Sequence, residues 1–242
     1  MKKRNFLSCL LIIAIVLATI SPTVLFAAED IAQDEQVYDE TYTEETEEYV
    51  EETPEAYDWT IETNELKKWP QGPQVEAEGA TVMDLDTGAF LYSKNAEAKL
   101  YPASITKIMT VLLTMEAIDS GTISYDDVVT VSAYAAGMGG SQVFLAEGEQ
   151  ITVEELLKAV CVASGNDAAA ALAEQVAGTA ELFVEKMNRR AAELGMNDTH
   201  FVNCTGLTAE GHVTSAYDIA LMSRELILHH PDIRRFTTIW MD

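Results

Sequence analysis

Apolar positions from residue 80 onward alternate over two short segments and then recur every three to four residues. Ala80-Thr-Val-Met83 and Ala89-Phe-Leu-Tyr92 flank Asp86-Thr87-Gly88, and turn residues between two such segments predict a hairpin. The stretch from Ile105 to Ile118 follows Pro102 and meets no Gly or Pro until Gly121, so a helix is predicted whose entry the proline sets. Thr152-Val-Glu-Glu155 has the form of a capping box and opens a helix to about Ala163. Asn166 and Asp167 are expected to cap an Ala-rich helix with its body over Ala168 to Val176, ending at Gly178. Thr179 starts another that closes near Gly195, and Ser215 with Asp218 opens Ala216 to His229 before Pro231. No further strand pattern follows the hairpin, and two strands alone make a marginal sheet. The expectation is a hairpin followed by a helical region.

The N-terminal segments carry a different pattern. Lys2, Lys3 and Arg4 precede an apolar run from Phe6 to Ile20, Pro22 breaks it, and Leu25-Phe-Ala-Ala28 supplies small residues. This is the pattern of a secretory signal peptide over residues 1–28, cleaved near Ala27 or Ala28. The run is shorter than the roughly 20 residues of a comfortable membrane span. From Glu29 to Asp58 the chain has many carboxylates and no Lys or Arg. Such a segment cannot bury enough apolar surface to offset its ordering entropy, so residues 29–61 are expected to be a disordered acidic linker. Folded sequence is expected over 62–242.

Charge and cysteine usage narrow the function classes. The formal charge of −25 leaves no basic stripe to neutralise a phosphate backbone, which excludes a nucleic-acid partner. Cys9 leaves with the signal, so Cys161 and Cys204 remain. Cys161 lies in an apolar helical run, where a buried free thiol is expected ahead of a Cys161–Cys204 disulfide. The four histidines, His200, His212, His229 and His230, show no metal-ligand spacing with cysteines or carboxylates. His212 is expected to be structural.

The candidate chemistry begins at Ser104-Ile-Thr-Lys107. Positions three apart share a helix face, so Ser104 and Lys107 point the same way at a helix start. A serine hydroxyl is a weak nucleophile until a base takes its proton, and a lysine serves when desolvation lowers its pKa. The helix N-terminus adds amides that favour a developing oxyanion. By itself this spacing fits equally well a helix start with a solvated lysine. Ser164-Gly165-Asn166, at a break between two helices, offers a second hydroxyl and an amide that both donates and accepts. Alone it reads as a helix–helix turn.

The order and spacing of the two elements carry a resemblance. The sequence resembles the serine D-Ala-D-Ala carboxypeptidases, the low-molecular-weight penicillin-binding proteins of the S11 peptidase family, from about Gln74 to its last residue. The similarity takes in Val82-Met-Asp84 with Thr87-Gly88, Tyr101-Pro-Ala-Ser-Ile-Thr-Lys-Ile-Met-Thr110, Gly148-Glu149 and Ser164-Gly-Asn-Asp-Ala168. It continues through Phe183-Val184, Met187-Asn188, Leu194-Gly-Met196, Asn203-Cys-Thr-Gly-Leu207 and Gly211-His-Val-Thr-Ser-Ala-Tyr-Asp218.

That resemblance implies an α+β, β-lactamase/transpeptidase-like fold, an antiparallel sheet flanked by helices. It implies that Ser104 is acylated, that Lys107 accepts its proton, that Ser164 helps relay protons and that Asn166 positions the substrate amide. No metal or organic cofactor is implied. The implied substrate is a peptidoglycan stem peptide ending in D-Ala-D-Ala, with β-lactams as inhibitors and the exported, cell-wall face of the membrane as the place of action. The family's Lys-Thr-Gly element does not occur in these 242 residues. Its place is expected after Asp242 with the later sheet strands, so the chain is expected to be C-terminally truncated and inactive by itself. Family members frequently carry a C-terminal amphipathic anchor, so peripheral membrane association through such a segment is a further expectation. Two alternatives stand beside this reading: a serine β-lactamase, which shares both motifs but prefers Asp at the position of Gly165, and a non-catalytic wall-associated relative.

Overall fold

A helical stretch that is apolar on every side has to be surrounded, and Ala168 to Ala173 form one. The computed structural model describes residues 73–240, within the compact unit Trp69–Asp242. The signal-like segment and the acidic linker lie outside the described residues. In chain order the elements are β1 (Ala80–Met83), β2 (Phe90–Lys94), a 3-10 turn (Ala103–Thr106), α1 (Lys107–Asp119), β3 (Val128–Thr130) and α2 (Ala133–Ala136). They continue with β4 (Gln150–Thr152), α3 (Val153–Ala163), α4 (Asn166–Ala177), α5 (Ala180–Glu193), α6 (Ala216–His229), a 3-10 turn (Pro231–Ile233) and α7 (Arg234–Thr237). Helix α4 is the buried one: Ala168 to Ala173 are all at most 1% exposed. Its alanines let α1, α2, α3 and α5 approach closely, the packing expected where the central turns of a helix are apolar all round. Helix α5 shows the complementary case. Ala180, Phe183, Met187 and Ala191 are buried on one face, and burying Phe183 or Met187 stabilises by about 2 kcal/mol each.

The predicted caps hold at most helix starts. Thr152 and Glu155 form the reciprocal box at α3, Thr179 Oγ1 accepts from Leu182 N at α5, and Ser215 Oγ accepts from Asp218 N at α6. At α4 the expectation is corrected. Gly165 is the N-cap, and Asn166 and Asp167 lie inside the first turn with their side chains committed elsewhere. Asp218 does not complete a box either; its carboxylate accepts from Asp198 N and Thr199 Oγ1.

The hairpin forms as predicted, with β1 and β2 antiparallel and the turn closed by Asp84 Oδ1, which accepts from Thr87 N and Thr87 Oγ1. Helix α6 covers it: Tyr217 stacks on Phe90 at 4.3 Å, and Arg224 Nε donates to Leu85 O at 2.8 Å. The expectation that no further strand follows is overturned. β3 and β4 pair antiparallel, Val129 opposite Ile151. Three-residue strands are too short to show a period of two, and β4 runs directly into the Thr152 cap. This small sheet pins both ends of the excursion 131–149, whose tip reaches the start of α4.

An ion network ties three helices together. Arg190 of α5 donates from Nε to Glu116 of α1 (2.7 Å) and from Nη2 to Glu225 of α6 (2.6 Å). All three side chains are less than one-third exposed. Arg190→Ala would take the guanidinium from Glu116 and leave Glu225 with His229 alone. It is expected to cost about 2 kcal/mol in urea unfolding of the full-length protein, between an exposed pair and a fully buried one. Glu193→Ala, which removes a more exposed partner at 3.4 Å, is expected to cost less than about 0.5 kcal/mol. Equal losses for the two variants would contradict the network's role.

Candidate active site

The chain enters the site strained. Ala103 has φ 47, and Pro102 leads into the 3-10 turn that carries Ser104. Ser104 is exposed, whereas Lys107, the first residue of α1, is buried. The predicted pair therefore forms with the serine open and the lysine beneath it. Lys107 Nζ lies 3.1 Å from Ser104 Oγ and donates to Thr205 O at 2.7 Å. Burial pushes the Lys107 ammonium down from its ordinary value to about 8. Cys204 acts in the opposite direction to a lesser extent. Because burial holds that thiol up at about 12, it stays protonated at neutral pH and supplies no charge.

The loop 203–207, which the sequence offered only as one stretch of the resemblance, is the partner of Lys107. Asn203 Oδ1 accepts from Thr205 N, Thr205 Oγ1 and Gly206 N, a tight side-chain-closed turn. That turn aims Thr205 O at Lys107, while Thr110 Oγ1 of α1 donates to Cys204 O at 2.7 Å. Gly206 has φ +88 and passes so close to Ala103 that no side chain fits. The Asn203-Cys-Thr-Gly run was the available signal, but a backbone carbonyl as a lysine ligand leaves no mark of its own in a sequence.

His212 takes a structural position, as expected. Its Nδ1 accepts from Val202 N (2.9 Å), which places the proton on Nε2 for donation to Thr106 Oγ1 (2.8 Å). The ring is buried and meets Phe201 edge-on, and burial lowers its pKa. A neutral imidazole thereby links the 200–213 segment to the 3-10 turn that carries Ser104.

Ser164 and Asn166 arrive from the α3–α4 break. Ser164 ends α3 in the left-handed region (φ 55, ψ 34). Its side chain is half-buried and makes no hydrogen bond to Ser104 or Lys107. Asn166 is buried; its N donates to Ser141 O (2.7 Å) and its Nδ2 to Gly139 O (2.6 Å). The Gly139 carbonyl fixes which end of the amide is nitrogen. Asn166 Oδ1 is left buried with no partner among the described residues, a costly state unless a ligand supplies a donor. A Cβ at Gly140 would fall 2.7 Å from Asn166 Nδ2 and 3.4 Å from Leu207 Cδ2, at the end of the loop that holds Lys107. The structure thus brings Ser104 and Lys107 into direct contact and sets Asn166 beside their supporting loop. Cys161 and Cys204 are free thiols, one half-buried and one buried.

An α+β body with an exposed serine over a buried lysine at a helix start has the fold of the β-lactamase/transpeptidase-like penicillin-binding proteins. The sequence matches Peptidase_S11, D-alanyl-D-alanine carboxypeptidase, over residues 66–240, and the chain belongs to that family. It is 53% identical over 167 residues to the D-alanyl-D-alanine carboxypeptidase DacF of Bacillus subtilis, covering 69% of this chain and 43% of that one. The crystal structure of DacD from Francisella tularensis superposes with a TM-score of 0.68 at 37% identity, over 69% of this chain and 41% of that one. Penicillin-Binding Protein D2 from Listeria monocytogenes, in its ampicillin-bound form, gives a TM-score of 0.59 at 31% identity, over 70% of this chain and 69% of that one. The chain spans less than half the length of the curated DacF relative.

Proposed function

We propose that the protein is an exported serine D,D-carboxypeptidase that removes the terminal D-alanine from peptidoglycan stem peptides through an acyl-enzyme on Ser104. The observation that carries this reading is Lys107 Nζ, buried and 3.1 Å from the exposed Ser104 Oγ, with its pKa brought down to about 8. In its neutral form Lys107 donates to Thr205 O and turns its lone pair to Ser104. Ser104 Oγ then attacks the carbonyl of the penultimate D-alanine as its proton passes to Lys107. Collapse of the tetrahedral adduct breaks the amide. The amine of the leaving D-alanine takes the proton from Lys107, with Ser164 as relay. Lys107 next deprotonates a water that attacks the ester carbonyl, and the proton returns to Ser104 Oγ as the acyl bond breaks. Asn166 positions the substrate, its unpartnered Oδ1 accepting from the substrate amide N–H.

The family membership, DacF among the relatives and an ampicillin-bound structural neighbour support this reading. It also assigns residues 1–28 to export and residues 29–61 to a spacer ahead of the folded part, with the wall face of the membrane as the working place. Among the described residues no helix is long and apolar enough to cross a membrane. The test is labelling of the full-length protein with a fluorescent penicillin. A stoichiometric adduct on Ser104 is expected, lost in Ser104→Ala; undiminished labelling of that variant would sink the assignment.

A further inference from the structure

Apart from glycines, left-handed backbone angles occur among the described residues at Asn95, Ala103, Phe144 and Ser164. Asparagine tolerates that region readily. Ala103 precedes Ser104, and Ser164 is itself a proposed site residue, so their strain sits where function most often holds it. Phe144 is the remaining case, with φ 63. For a bulky residue this is an outlier that the surroundings must enforce. Its ring is also 82% exposed, so burial offsets none of the strain.

The enforcement comes from Asp167. Its carboxylate, fully buried, accepts from Val143 N and Leu145 N, the amides on both sides of Phe144. Ser141 O and Gly139 O in the same segment bind the backbone and side chain of Asn166. The segment is therefore laced along the first turn of α4, with Val143 against Gly165 and the Phe144 ring held out from it. Leu207, 41% exposed and packed on Gly140, adds a second apolar side chain beside Asn166.

We propose that Phe144 is a specificity-determining residue whose ring packs on the apolar stem of the peptide residue preceding D-Ala-D-Ala. The inference rests on the carboxypeptidase reading above. In that reaction the leaving group is a single D-alanine, so a substrate contact displaced from the scissile amide falls on the acyl-donor chain. Val143, Phe144 and Leu145 bring no charge to this rim, which suits aliphatic carbon.

The test uses the full-length protein and two N-acetylated tripeptides ending in D-Ala-D-Ala, one beginning with Nε-acetyl-lysine and the other with glycine. The wild type is expected to favour the long side chain by about 10- to 200-fold in kcat/KM. Phe144→Gly removes the ring and suits the backbone angle. It should bring the preference below about 3-fold, keep penicillin labelling of Ser104, and leave the melting temperature unchanged or higher. Phe144→Leu is expected to retain part of the preference. A preference that survives Phe144→Gly overturns the proposal, as does a lowered melting temperature with labelling lost, which would make the ring structural. A wild type that cleaves both peptides equally overturns it while leaving the carboxypeptidase reading intact. A wild type that releases D-alanine from neither peptide and leaves Ser104 unlabelled takes down both.

Discussion

Replacing Lys107 with methionine is expected to slow acylation of Ser104 by on the order of 10³-fold, within the range that a positioned general base supplies. The physical basis is the 3.1 Å approach of Nζ to Ser104 Oγ and the burial of the lysine under the nucleophile turn. Methionine matches the length of the stem but accepts no proton. Ser104 remains in place, so slow residual labelling by penicillin should still map to it. Labelling at the wild-type rate would remove Lys107 from the mechanism.

The same residue sets the pH dependence. Lys107 titrates near 8 when folded and near its ordinary 10.5 when unfolded, burial being the main cause. Only the neutral amine accepts the serine proton. The acylation rate should therefore rise about tenfold per pH unit below that value and level off above it. A profile flat from about pH 6 to about pH 9 would contradict the assignment. Stability follows the opposite protonation logic. The unfolded chain holds the proton to higher pH than the folded one. The cost of burying the cation is thus fully present below about 8 and is relieved as pH rises toward 10.5. In Lys107→Met that rise in stability across the window should vanish.

What could be read from the chain alone was whatever depends on near neighbours. Ser104 and Lys107 meet because a turn of helix puts them on one face, and Thr152, Thr179 and Ser215 announce α3, α5 and α6 by bonding to amides a few residues on. The features that escaped depend on distant backbone. Thr205 O reaches Lys107 across 98 residues, and Thr106 meets His212 across 106. Neither contact alters a local pattern. Asn166 and Asp167 looked like caps because their side chains commonly serve that way. In the folded chain the excursion pinned by β3 and β4 draws both into bonds with residues 139–145 instead. The resemblance named the candidate site residues, but it gave no sign that Phe144 would be held outward by a buried carboxylate.

Gly206→Ala is expected to be the most damaging single methyl group in the described part of the protein. A Cβ there would lie 1.8 Å from Ala103 O, 2.3 Å from Ala103 C and 2.9 Å from Ser104 N. These are backbone atoms, so no rotamer change relieves the overlap, and the 203–207 loop must retreat from the nucleophile turn by more than 1 Å. Retreat withdraws Thr205 O from Lys107 and loosens the aim of Ser104. A 1 Å misplacement of reacting groups costs on the order of 10²-fold in rate, and forced overpacking adds roughly 3 kcal/mol of instability. Part of any such loss comes from φ +88 alone, and Gly121 isolates that part. It has φ +72 and nothing within 4 Å of its Cβ position, so Gly121→Ala should cost only about 1 kcal/mol with acylation unchanged. The comparison of the two variants, by thermal unfolding and by the rate of penicillin labelling, separates strained backbone from the packing of the loop on Ser104. Equal effects of the two substitutions would mean that the close approach at Ala103 has no part in holding the site.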